Sequence, residues 1–132
     1  MKASSLCFKA AVLFVIAGMI WGMQMAITED HSAFPAHAHL NLLGWVSLFL
    51  IGIFYRLHPA LERSKVAMAQ IWIWIVGTVI QAIGVAMVHT GRPAGDPAAA
   101  GGSMLVVVSV LLFAWLVFRA EANAPAVVQP AE

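Results

Sequence analysis

Apolar residues run in four long blocks separated by short polar breaks. The blocks cover roughly Cys7–Ile27, His37–Leu57, Val66–His89 and Gly102–Phe118. A helix needs about 20 apolar residues to cross a hydrocarbon core, and 21 residues at about 1.5 Å each reach about 31 Å. The pattern therefore predicts an all-α, four-transmembrane-helix bundle. The breaks TEDHSAFPA, HPALERSK and TGRPAGDPAAAG carry Pro, Gly, Ser and Asp and read as turns. The membrane domain is expected over 1–119, with 120–132 a flexible tail rich in Ala and Pro. The first block is longer than the usual apolar core of a signal peptide, and no clear cleavage site follows it, so it reads as a retained helix.

Composition agrees. Hydrophobic residues make up 62% of the 132 and charged residues 10%, against about 25% charged in soluble domains. That balance excludes a soluble enzyme domain. A net charge of +1 excludes a nucleic-acid binder. One cysteine, Cys7, excludes an internal disulfide. Lys2, Lys9, Arg56, Arg63, Lys65 and Arg119 fall on one side of the expected topology and Arg92 alone on the other. The positive-inside rule then places both termini in the cytoplasm, in a bacterial inner membrane with the first and third loops outside.

The histidines sort unevenly. His31, His37, His39 and His89 fall at the outer ends of spans, and His58 alone at the inner end. Histidine is the commonest metal ligand, and ionisable residues in membrane spans are functional candidates. Residues two apart on a helix point about 200° apart. His37 and His39 therefore cannot both chelate one ion from a regular helix, but they can ligate two different cofactors, one on each side. The His37 side continues through Asn41, Gly44, Leu48 and Tyr55, with a gap at Gly44 for a planar macrocycle or a neighbouring helix. The His39 side continues through Leu43, Val46, Leu50, Ile53 and Leu57, an apolar wall. Gly18 and Gly22 form a G-x-x-x-G pair for close helix contact, and Gln70, Gly77, Gln81 and Gly84 form one stripe in which the amides act as glue between helices. Met19, Met23 and Met25 read as apolar lining, with copper(I) ligation the alternative.

The segment FPAHAHLNLLGWVSLFLIGIFYRLHP resembles the second helix of heme–copper oxidase subunit I, above all in C-type oxidases and nitric oxide reductases. There a His near the helix start ligates a low-spin heme and a Gly follows seven residues on. His37 and Gly44 match those positions, while His39 stands where the family has Asn. The His-x-His pair also resembles the family's tenth helix, where one His serves each of two hemes. The resemblance covers one span. The family's catalytic subunit has twelve helices in three arcs of four, which implies a homotrimer of this chain. It also implies heme b held by His37 and His39 with Asn41 and Gly44 beside it, and Arg92 pairing with a propionate. The adjacent His-His pair of the family's copper centre is missing. Tyr55 lies 18 residues past His37, about 27 Å along a helix. One chain thus has no oxygen-reducing centre, and electron transfer or gas or redox sensing is the expected role. The alternatives are a copper or zinc carrier using His31, His37, His39 and His89, with Glu29 and Asp30 recruiting cations, and a cofactor-free assembly factor.

Overall fold

The computed structural model describes residues 1–122. The expected flexible tail falls almost wholly beyond them, at 123–132. Four long helices follow one another: α1 (Ala3–Thr28), α2 (Phe34–Leu57), α3 (Lys65–His89) and α4 (Asp96–Ala122), the last preceded by a 3₁₀ turn at Pro93–Gly95. All four spans are long and apolar enough to cross a membrane, and no strand occurs among the described residues.

The punctuation sets the ends. Pro35 sits in the first turn of α2, where a missing N–H costs nothing. Glu29 closes α1 in the left-handed region, φ 55°. His58 closes α2. Ser64 caps α3, its hydroxyl accepting from the Ala67 amide at 3.4 Å. The third break is shorter than expected. Asp96 opens α4, so the run DPAAAG is helix and not loop. An acidic residue and Pro in the first turn, followed by three alanines, favour that start.

The packed core lies in one half of the bundle. Leu6, Cys7 and Ala11 of α1 meet Leu48, Ile51 and Tyr55 of α2, with Ile71 and Trp74 of α3 and Leu116 of α4. Polar groups tie this half together. The Tyr55 hydroxyl donates to Gln70 Oε1 at 2.8 Å, and Gln70 Nε2 donates to Ser109 Oγ at 3.0 Å. Ser109 Oγ in turn donates to the Gln70 carbonyl at 2.7 Å. At the end of this half, Glu62 reaches the start of α1. It accepts from the Ser4 hydroxyl at 2.6 Å and the Ser4 amide at 3.2 Å.

The middle of α2 departs from expectation. Leu40–Ser47 is π-helical. The Trp74 indole donates to the Leu43 carbonyl inside that segment at 3.0 Å. The wider winding begins directly after His39 and contains Asn41 and Gly44. π-Helical turns inside α-helices concentrate at functional sites.

Candidate functional site

The half of the bundle away from the packed core carries His31, His37, His39, His89 and Arg92 at its end. His37 lies in the first α-helical stretch of α2, and its ring rests on α1 at Gly22. A Cβ added to Gly22 would stand 3.1 Å from His37 Cε1, and one added to Gly18 would meet the Asn41 amide. The G-x-x-x-G pair of α1 thus makes room for two polar side chains of α2. Gly44 is different. Its face is taken by Phe14, whose Cγ would lie 2.7 Å from an added Cβ. Of the two occupants expected beside Gly44, the neighbouring helix fills the space.

Asn41 holds His37 in place. Its Nδ2 donates to the His37 carbonyl at 2.9 Å and lies 3.4 and 3.3 Å from the two ring nitrogens. Near-equal distances place that nitrogen over the ring face and not along either lone pair. His37 also lines a groove of about 610 Å³, within the range of small-molecule and cofactor sites. Val15 and Met19 of α1 and Phe34, Leu42 and Trp45 of α2 line it, with His37 and Asn41 as its polar groups besides the Trp45 indole.

His39 points elsewhere. Its Nδ1 stands 2.7 Å from the Pro35 carbonyl. Donation there puts the proton on Nδ1 and leaves the Nε2 lone pair for a ligand, the arrangement common in metal-binding histidines. His89 makes the same bond to Val85 at 2.9 Å and His58 to Phe54 at 2.7 Å. This bond is therefore a habit of helical histidines here and does not single out His39. Beyond it, Val46, Leu50, Ile53 and Leu57 form an exposed apolar face.

The remaining outer residues do not join His37. His31 is exposed, with Nδ1 3.1 Å from the Glu29 carbonyl, and His89 is exposed on α3. Among the described residues no three His, Cys, Asp or Glu side chains gather to hold a metal ion. The four-histidine copper or zinc site is therefore not assembled within one chain. Arg92 lines a second cleft, with Trp21, Leu40 and Val79, apart from the groove of His37. Within one chain it does not meet a ligand bound at His37. The methionines also separate: Met19 lines the groove, Met25 is buried and Met23 is exposed.

The π-helical stretch, the Trp74–Leu43 bond and the Glu62–Ser4 contact carry no sequence signal read above. Trp74, Ser4 and Glu62 are ordinary residues whose partners lie 31 or 58 positions away. No family model, curated protein or solved structure matches this chain.

Proposed function

We propose that the chain is a membrane b-type heme protein serving electron transfer or gas or redox sensing. The carrying observation is that His37, held by Asn41, lines an otherwise apolar, aromatic-flanked groove. The donor set fits the group: one imidazole, flat apolar walls, and an amide that fixes the ring. Heme b supplies reversible one-electron chemistry when bound. Asn41 sets the ring orientation, Gly22 lets the ring lie against α1, and Phe34 and Trp45 flank the groove. A second imidazole on the same iron has to come from a second copy, because His39 faces away from His37. Its free Nε2 suits that role, and a homotrimer in a bacterial inner membrane, with both termini cytoplasmic, accommodates it.

The test is the visible spectrum of the detergent-purified protein, oxidised and dithionite-reduced. Wild type should show a low-spin b-type spectrum. His37→Ala and His39→Ala should each abolish it, and His58→Ala should retain it. A colourless wild type expressed with ample heme would overturn the proposal. A normal low-spin spectrum in His39→Ala would remove His39 from the site.

A further inference from the structure

The second cleft lies between α1, α2 and α3 at the same end of the bundle. Its shaft, about 310 Å³, is walled by Trp21, Leu40, Val79 and Ile83 and carries Thr90 and Arg92 at the top. A chamber of about 200 Å³ adjoins it. The two share Trp21, Ala86 and Thr90, and the chamber adds Asp30. From Val79 to Thr90 the α3 axis rises about 16 Å, half of a hydrocarbon core of about 30 Å. The cleft is therefore one leaflet deep, apolar below and doubly charged above.

The charges are available. The ion pair found among the described residues joins Arg56 and Glu62 at the other end, and both Arg92 and Asp30 lie outside it. The Arg92 backbone is fixed, its amide donating to the Met87 carbonyl at 2.8 Å. Asp30 is fixed by the Ser32 amide, which donates to Oδ1 at 3.0 Å. That bond holds its carboxyl below the ordinary carboxylate value, so it is ionised at neutral pH. A guanidinium lining the shaft and a carboxylate lining the adjoining chamber match a headgroup with a phosphate and an ammonium. A simple anion would leave Asp30 opposed, and a plain hydrophobe would use neither charge.

We propose that this cleft binds one phosphoethanolamine-type phospholipid. An acyl chain fills the shaft, the phosphate pairs with Arg92 and accepts from the Thr90 hydroxyl, and the ammonium pairs with Asp30. This site is distinct from the His37 groove and does not depend on the heme reading.

Native mass spectrometry tests it on the full chain, delipidated in detergent and offered phosphatidylethanolamine, phosphatidylglycerol or inorganic phosphate. Wild type should retain one phosphatidylethanolamine per chain, in preference to phosphatidylglycerol by about fivefold, the scale of one interfacial charge. Phosphate should not displace it. Asp30→Asn should bring the two lipids to parity, and Arg92→Gln should weaken both. Ile83→Trp narrows the shaft at an exposed position and should weaken both without disturbing the core. Equal retention of the two lipids by wild type would overturn the proposal. So would displacement by phosphate, unchanged retention in Arg92→Gln, or a lipid-free oligomer with a second copy over the cleft.

Discussion

Small residues decide where the two halves of the bundle differ. At Gly84 an added Cβ would meet the backbone of Ala98 and Ala99, and at Gly102 it would meet the backbone of Gln81. Helix α3 and helix α4 thus touch main chain to main chain, with no flexible side chain to yield. Gly84→Ala should lower the thermal midpoint in detergent, by about 1–3 kcal/mol of stability. Gly101→Ala, with nothing near its Cβ, should be neutral or slightly stabilising. Equal midpoints for the two variants would refute the close contact. At Gly18 and Gly22 the neighbours are side chains of α2, so those glycines position Asn41 and His37. Spacing in the sequence pointed to close contact at Gly18 and Gly22 and to a stripe through Gly84, but not to the contact at Gly102. It did not tell which glycine meets backbone and which meets a polar side chain, because that depends on the rotation of the facing helix.

At the scale of elements, the four spans were legible because hydropathy alone specifies a membrane helix. The start of α4 was not, since PAAAGG is only mildly apolar and its helix is secured by tight packing on Gly84 and Gln81. The stripe on α3 was half legible. Gln70 bridges Tyr55 and Ser109, but Gln81 Oε1 and Thr78 Oγ1 are buried without a hydrogen-bond partner among the described residues. The contact that fixes α1 was invisible, because Glu62 reads as an ordinary loop charge. Burial pushes its carboxyl up, but hydrogen bonds from the Ser4 hydroxyl and amide, with the charges of Arg56 and Lys2, outweigh burial and hold it below the ordinary value. A depressed carboxyl stabilises the fold fully above its unfolded value, near 4.5, and that stability is lost as pH falls below it. The wild-type melting temperature should therefore drop on acidification below about pH 4.5. Glu62→Gln should cost about 1–3 kcal/mol at neutral pH, as loss of a charge-assisted bond to a helix start does. It should also flatten the acid limb. An unchanged acid limb in the variant would show that another group controls it.

For the whole molecule, the division between the end with the core cluster, the packed end, and the end with the two grooves, the open end, coincides with the division of charge. The packed end, where Glu62 meets Ser4, holds Lys2, Arg56, Arg63 and Lys65, and Arg119 lies in the last turn of α4. The open end holds four of the five histidines, all but His58, and a lone Arg92. Basic residues resist translocation, and on the orientation proposed from this asymmetry the packed end lies inward and the two grooves outward. Both proposed sites depend on that orientation in the same way. A cofactor at His37 would exchange electrons with a partner outside the cell membrane, and a lipid at Arg92 would come from the outer leaflet. Reporter fusions after Ala94, in the short turn before α4, and after Arg119 should therefore read opposite sides, with Ala94 outside. Reversing the bias, by Arg56→Gln, Arg63→Gln and Lys65→Gln together with two lysines added beside Ala94, should invert part of the population. A fusion after Arg119 that reads outside in the native chain would place the His37 groove toward the cytoplasm. The electron partner and the lipid leaflet would then both change sides.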